Sequence, residues 1–104
     1  PVETFVRLMN QCACMIGNSS AAIREGAFLG VPAVNVGTRQ QGRECGKNVI
    51  DVDYDSQEIL DAVQSQMHNV RYASEHIYGD GQAGERIANI LATCHINLQK
   101  HMLY

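Results

Sequence analysis

The sequence predicts an α/β fold, a Rossmann-like parallel sheet with helices on both faces. Two short apolar runs, at residues 12–16 and 33–36, have the length and composition of buried strands, and residues 48–52 are typical of a third strand. Segments with apolar residues at helical spacing flank these runs, and glycine-containing turns separate strand from helix. Buried strands that alternate with helices form parallel sheets covered on both faces, and their crossovers are nearly always right-handed.

The predicted helices occupy four segments. Residues 2–11 place apolar side chains at helical spacing, and residues 21–29 permit a helix that ends at Gly30. Residues 55–70 begin with a capping-box pattern and continue with regularly spaced apolar residues. A last helix begins near Ala83. The apolar face of this last helix comprises Ile87, Ile90, Leu91, Cys94 and Leu98.

Length and charge exclude several classes of protein. The chain has 104 residues, which allows one domain. Eight basic residues against eleven acidic ones give a net charge of −3 without a basic run, so we expect no nucleic-acid partner. No apolar run approaches the roughly 20 residues that span a bilayer, so we expect no membrane contact. The chain starts at Pro1 without a signal-peptide pattern, and we expect it to be a piece of a longer polypeptide.

The cysteines and histidines predict no metal site. Four cysteines are too few for a disulfide scaffold and form no CxxC pair, which indicates reduced thiols and a cytoplasmic location. Cys12 and Cys14 alternate on the predicted first strand, so their side chains should point to opposite faces and not share one ion. The four histidines lack ligand spacing, and we expect no cofactor.

The turn at residues 17–20 is the first candidate binding element. It follows a predicted parallel strand, and ligands bind at the carboxyl ends of such strands. The hydroxyls of Ser19 and Ser20, with free backbone N–H groups at the start of the next helix, suit a phosphate without any lysine. The alternative is that Ser20 only caps the helix, and the two roles can coexist.

Two further segments carry candidate residues. Glu25 lies five residues after Ser20, too far for a capping-box glutamate, and its two acceptor oxygens suit adjacent ribose hydroxyls. The alternative for Glu25 is a solvated helix charge. The polar stretch at residues 37–47 opens on the same sheet edge and carries Arg39 and Arg43, whose guanidinium groups match phosphate or carboxylate oxygens. The alternative for this stretch is a basic surface loop.

A set of ordered motifs between residue 14 and about residue 87 resembles the C-terminal part of the hydrolysing UDP-N-acetylglucosamine 2-epimerases. The chain is similar to the epimerase half of the bifunctional animal enzyme that begins sialic acid synthesis, and to bacterial enzymes that make N-acetylmannosamine. The motifs are Cys14-Met15-Ile16-Gly17-Asn18-Ser19-Ser20, Arg24-Glu25, Gly30-Val31-Pro32, Gly37-Thr38-Arg39-Gln40, Gly42-Arg43-Glu44, Asn48-Val49 and Tyr78-Gly79-Asp80-Gly81.

The resemblance implies a fold, a ligand and site residues. Members of this family have two Rossmann-like domains in a GT-B arrangement, and UDP is held mainly by the C-terminal one, of which residues 1–104 form a part. Ser19 and Ser20 are then expected to hold the diphosphate, Glu25 the ribose hydroxyls, and Arg39 a further part of the nucleotide or substrate. Non-hydrolysing relatives carry a Ser-Gly-Gly type turn and a Thr-Glu-Arg-Pro type loop at these places, which favours the hydrolysing branch.

The resemblance also limits what this chain does alone. The acidic residues and the histidine that drive the family's chemistry precede residue 1, so we expect the isolated segment to be inactive and the N-terminal domain to lie outside it. We expect the full-length protein to act on UDP-N-acetylglucosamine as a homo-oligomer. Two alternatives remain open: the UDP-binding half of a GT-B glycosyltransferase, which needs an acceptor, and a non-enzymatic nucleotide-binding module.

Overall fold

The computed structural model describes residues 1–95. Within that range the chain forms three strands and five helices. The strands are β1 (Met15–Gly17), β2 (Ala33–Val36) and β3 (Val49–Val52). The helices are α1 (Val2–Gln11), α2 (Ser20–Ile23), α3 (Glu25–Leu29), α4 (Ser56–His68) and α5 (Ala83–Thr93).

The three strands form one parallel sheet in the order β1-β2-β3. Ala33 of the central strand pairs with Met15 on one side and Val49 on the other. Ala33 and Val34 are 0% and 1% exposed, and successive strand residues point to opposite faces, so both faces of β2 are covered. Helices α2 and α4 both contact β2. The predicted α/β fold with a Rossmann-like parallel sheet is therefore confirmed.

The first strand differs from its prediction. Helix α1 ends at its C-cap Cys12, whose backbone N–H donates to the Leu8 carbonyl oxygen at 3.0 Å. The paired strand begins only at Met15, and Ile16, in this edge strand, is 57% exposed. The prediction of a buried strand from Cys12 onward is therefore wrong. Cys12 and Cys14 are half-buried thiols that precede the strand and do not alternate on it.

The predicted helix over residues 21–29 is two short helices. The chain turns at Arg24, with a ψ of −73°, between α2 and α3. The buried Asn48 amide donates to the Ala22 carbonyl oxygen at 3.2 Å, so a side chain from outside these helices packs against the place where the chain turns. Gly30 ends α3 with a φ of 71°, the left-handed conformation that glycine adopts at helix ends. The end at Gly30 is confirmed, whereas the continuous helix is wrong.

Helix α4 begins where the capping box predicts. The Asp55 side chain accepts a hydrogen bond from the Glu58 backbone N–H at 3.3 Å, which satisfies a donor at the helix start. The helix ends at His68, two residues earlier than predicted. It packs against β2 and β3 and so covers one face of the sheet.

Two buried amide side chains connect the helices to the sheet. Gln66 of α4 is 0% exposed, and its Nε2 donates to the carbonyl oxygens of Ala33 and Asn48 at 2.8 Å each. The Asn48 side chain, also buried, donates to the Val31 carbonyl oxygen at 2.8 Å. Buried backbone carbonyls need such partners, and directional bonds of this kind define one arrangement of helix and strand. The surrounding apolar core includes Met9, Ile23, Val31, Ala33, Val34 and Ala62.

Residues 69–82, named here the α4–α5 segment, contain neither helix nor strand. The Tyr72 backbone N–H donates to the Gly30 carbonyl oxygen at 3.0 Å. The Glu75 backbone N–H donates to the Ala27 carbonyl oxygen at 2.9 Å. These bonds fix the α4–α5 segment along α3.

Helix α5 has no buried residue. Of its predicted apolar face, Ile87, Ile90 and Leu91 are 56%, 61% and 58% exposed. Cys94 follows the helix as its C-cap, and Leu98 lies outside the described residues. Among residues 1–95, no helix is both long and apolar enough to cross a membrane.

Candidate functional site

The turn at residues 17–20 stands at the carboxyl end of β1, as predicted. The cap of the following helix is Ser19, because its Oγ accepts a hydrogen bond from the Ala21 backbone N–H at 3.2 Å. Ser20 is the first helical residue, so the alternative that it acts as the cap is wrong. A hydroxyl that accepts one bond can still donate its own hydrogen, so capping leaves Ser19 able to bind an anion.

Helix α2 is too short for its dipole to contribute much to the predicted anion site. The helix comprises only Ser20–Ile23, so few peptide dipoles are aligned behind the turn. Affinity for an anion must then come from the two serine hydroxyls, from backbone N–H groups and from a neighbouring cation. Ser19 is exposed and Ser20 is half-buried, so both lie within reach of a ligand in solution.

Arg39 supplies that neighbouring cation. Its Nη1 donates to the Asn18 side-chain oxygen at 3.2 Å, which brings the loop after β2 against the turn after β1. The next residue reinforces this contact, because Gln40, only 8% exposed, donates from Nε2 to the Asn18 carbonyl oxygen at 2.9 Å. The structure thus places Arg39 against Asn18, the residue that immediately precedes Ser19 and Ser20. Sequence reasoning missed the roles of Asn18 and Gln40, although both lie directly beside predicted site residues.

Glu25 occupies a separate position as the first residue of α3, and its side chain is exposed. It lies between two surface grooves, and neither groove is lined by Ser19, Ser20 or Arg39. One groove has a volume of about 270 Å³ and is lined by Arg24, Glu25, Phe28, Glu75, Tyr78, Gly79 and Gly81. The other has a volume of about 510 Å³ and is lined by Pro1, Val2, Phe5, Val6 and Glu25.

Aromatic residues line the two grooves beside Glu25. The Arg24 guanidinium carbon lies 5.9 Å from the centroid of the Tyr78 ring, within the range of a cation–π contact. The rings of Phe28 and His76 meet edge to face with centroids 5.3 Å apart. A carboxylate between apolar and aromatic walls suits a nucleoside, since it accepts hydrogen bonds from ribose hydroxyls while the walls contact the flat base.

A third cavity of about 400 Å³ lies at the carboxyl ends of β2 and β3. Arg43, the second guanidinium of the loop, lines this cavity, and Asn35 donates from Nδ2 to Asp51 Oδ1 at 2.9 Å there. Burial raises the pKa of the Cys45 thiol, and the nearby Asp51 carboxylate raises it further, so the thiol stays protonated at neutral pH. In residues 1–95, no group of three or more metal-binding side chains is placed to hold an ion.

Comparison with known proteins identifies related chains. The model of the family described as UDP-N-acetylglucosamine 2-epimerase matches residues 1–92. The UDP-N-acetylglucosamine 2-epimerase of Neisseria meningitidis serogroup B is 35% identical, across 97% of this chain and 28% of the relative. The hydrolyzing UDP-N,N'-diacetylbacillosamine 2-epimerase of Legionella pneumophila is 36% identical, across 91% of this chain and 25% of the relative.

A further relative matches over a shorter stretch. The hydrolyzing GDP/UDP-N,N'-diacetylbacillosamine 2-epimerase of Campylobacter jejuni is 43% identical, across 47% of this chain and 13% of the relative. The chain spans about a quarter of the length of the curated relatives that it matches along most of its own length. The family model covers nearly all of the described residues, and the chain therefore belongs to the UDP-N-acetylglucosamine 2-epimerase family.

Proposed function

We propose that this chain is the UDP-binding part of a longer enzyme, a hydrolysing UDP-N-acetylglucosamine 2-epimerase. The enzyme converts UDP-N-acetylglucosamine and water into N-acetylmannosamine and UDP, through elimination of UDP to a glycal and hydration of that glycal. The names of two relatives include the word "hydrolyzing", which supports the hydrolysing branch of the family. We place the full-length protein in the cytoplasm, as a homo-oligomer in amino-sugar and sialic acid biosynthesis. Residues 1–104 form part of the C-terminal half of its proposed GT-B arrangement.

The contact between Arg39 and Asn18 carries this proposal. It joins two segments, 21 residues apart in the sequence, that have complementary chemistry for a diphosphate. In this proposal the serine hydroxyls of the turn and the Arg39 guanidinium of the loop lie at the same edge of the sheet. Positive charge and hydrogen-bond donors at this place stabilise the negative charge that develops on the departing UDP oxygen.

Glu25 completes the proposed nucleotide site. In this proposal the ribose attached to a diphosphate at the serine turn extends toward Glu25, the first residue of α3. The carboxylate then accepts hydrogen bonds from the two ribose hydroxyls, and one of the two grooves lined by Glu25 receives the base. The residues that carry out elimination and hydration lie in the remainder of the enzyme, so we propose that residues 1–104 alone bind UDP without turnover.

Product analysis with the full-length protein tests the reaction. Incubation with UDP-N-acetylglucosamine and water alone should give N-acetylmannosamine and UDP in equal amounts. A glycosyltransferase would need an added acceptor and would give a glycoside instead. Formation of neither N-acetylmannosamine nor free UDP, by a protein that is folded and binds UDP, would contradict the epimerase proposal.

Substitution of Arg39 tests its place in the site. Arg39→Ala in the full-length enzyme should weaken UDP binding about tenfold or more, because a hydrogen bond to a charged group contributes about 1.5–3 kcal/mol. Arg43→Ala is the matched control, because Arg43 belongs to the same loop but lines the cavity beside Asp51. Isothermal titration calorimetry with UDP measures both variants. Equal losses in the two variants would indicate a general effect of loop charge, and no loss in either would remove Arg39 from the site.

A further inference from the structure

The loop that carries Arg39 is held at both ends by side chains from other elements. This loop, residues 37–48 between β2 and β3, contains no helix or strand. Near its start, Arg39 and Gln40 bond to Asn18. Near its end, the Tyr78 hydroxyl donates to the Glu44 carbonyl oxygen at 2.6 Å. The first attachment is part of the proposed nucleotide site, whereas the second comes from the α4–α5 segment.

The α4–α5 segment makes a second bond to the same loop. The Glu75 carboxylate accepts a hydrogen bond from the Lys47 backbone N–H at 2.9 Å. The same segment is anchored to α3 through backbone bonds from Tyr72 and Glu75. The end of the loop is therefore fixed relative to the helix that begins with Glu25.

Tyr78 contacts both proposed ligand-binding elements with different parts of its side chain. Its hydroxyl bonds to the loop, and its ring lies 5.9 Å from the guanidinium carbon of Arg24. Arg24 immediately precedes Glu25, and Tyr78 and Glu25 line the same groove. Tyr78 thus links the helix that begins with Glu25, the proposed acceptor for the ribose, to the loop that carries Arg39, the proposed cation for the diphosphate.

We propose that Tyr78 is a positioning residue for nucleotide binding. It holds the 37–48 loop so that Arg39 faces the serine turn, and it holds Arg24 beside Glu25, so that the contacts to diphosphate and ribose form at the correct separation. The inference rests on the proposed function for its ligand, UDP, whereas the attachment of the loop is a property of the chain without ligand. Loss of the hydroxyl should therefore loosen the loop and lower UDP affinity together.

The test compares Tyr78→Phe with Tyr72→Phe in the full-length protein. Both substitutions remove one hydroxyl from the α4–α5 segment, but Tyr72 donates to Gln66 Oε1 at 2.7 Å and does not contact the 37–48 loop through this group. Hydrogen–deuterium exchange of the loop peptide measures the attachment without ligand. Titration calorimetry measures UDP affinity, and thermal unfolding shows that each variant is folded.

Tyr78→Phe should speed exchange in residues 37–48 and weaken UDP binding about two- to tenfold, the range expected for one neutral hydrogen bond. Tyr72→Phe should lower the melting temperature and leave both loop exchange and UDP affinity unchanged. Unchanged exchange in Tyr78→Phe would overturn the attachment, and faster exchange with unchanged UDP affinity would overturn the positioning role. A wild-type protein that does not bind UDP would instead overturn the proposed function, while the exchange comparison would still decide whether Tyr78 holds the loop.

Discussion

Helices α4 and α5 are held in place in different ways. Gln66 of α4 is completely buried and bonds to two backbone carbonyl oxygens at 2.8 Å. No residue of α5 is buried, and the turn before this helix is held by an exposed ion pair between Asp80 and Arg86. The comparison shows that buried directional bonds are concentrated where α4 meets the amino ends of β2 and β3, at Ala33 and Asn48. Changes there should cost more stability than changes at α5.

The largest effect is expected when the Gln66 amide is removed. Gln66→Met keeps the length of the side chain but removes two donated hydrogen bonds, the bond accepted from Tyr72 and a longer one accepted from Asn69. At about 0.5–1.5 kcal/mol for each bond, the free energy of unfolding should fall by about 2–4 kcal/mol in a urea titration.

Gln64→Met is the matched control, because Gln64 lies on the same helix and is exposed. Its substitution should change the free energy of unfolding by less than about 0.5 kcal/mol. Equal losses in the two variants would show that the methionine, and not the loss of the buried amide, causes the effect.

A second comparison concerns two glycines with positive φ. A Cβ on Gly30 would overlap the Tyr72 carbonyl oxygen of the α4–α5 segment, whereas a Cβ on Gly42 would meet nothing within 4 Å. Both alanine variants incur the cost of a left-handed residue, about 1–2 kcal/mol. Gly30→Ala should lose about 1 kcal/mol more, because it also displaces the segment and its backbone bond. Thermal unfolding of the two variants measures the difference, and equal losses would contradict the close packing of the segment on α3.

The smallest effect is expected at the turn before α5. A side-chain hydrogen bond from Arg86 and a backbone hydrogen bond from Gln82 hold the pKa of Asp80 below its ordinary value. A lowered pKa means that the folded state favours the ionised form, so the stabilisation is present above the unfolded pKa and is lost as pH falls through the folded pKa. The melting temperature of Asp80→Asn should therefore lie slightly below that of the wild type at pH 6 and approach it in acid.

Glu85→Gln provides a control for this pH dependence. Glu85 is an exposed carboxylate in the first turn of α5, outside the pair of Asp80 and Arg86. Its substitution should not reproduce the convergence of melting temperatures in acid. A difference between wild type and Asp80→Asn that persists unchanged to the lowest pH would show that the ion pair does not contribute.

Local patterns predicted the elements whose structure depends on neighbouring residues. The capping box at Asp55 and the glycine end at Gly30 are both confirmed, since each depends on hydrogen bonds within a few residues. The interruption at Arg24 was not predictable in this way, because Asn48, which donates to the Ala22 carbonyl oxygen there, lies 26 residues away in the sequence. Long-range packing overrode a local preference for helix.

The candidate site shows the same limit. Ser19 and Ser20 could be selected from turn chemistry and from their place after a strand, and Arg39 from its loop. The bond from Arg39 to Asn18 and the bond from Tyr78 to Glu44 join residues 21 and 34 apart, and no spacing rule indicates them. The roles of the serines, Glu25 and Arg39 in nucleotide binding stay predictions.

UDP binding to the Glu25→Gln variant of the full-length protein tests the proposed site most directly. The substitution preserves the size of the side chain and one acceptor oxygen but removes the charge, and a hydrogen bond to a charged group contributes about 1.5–3 kcal/mol. UDP affinity should fall by roughly one to two decades, at about 1.4 kcal/mol per decade. The control ligand 2′,3′-dideoxy-UDP lacks both hydroxyls and should bind wild type and variant equally. Equal loss of affinity for both ligands, or no loss for either, would contradict the assignment of Glu25 to the ribose.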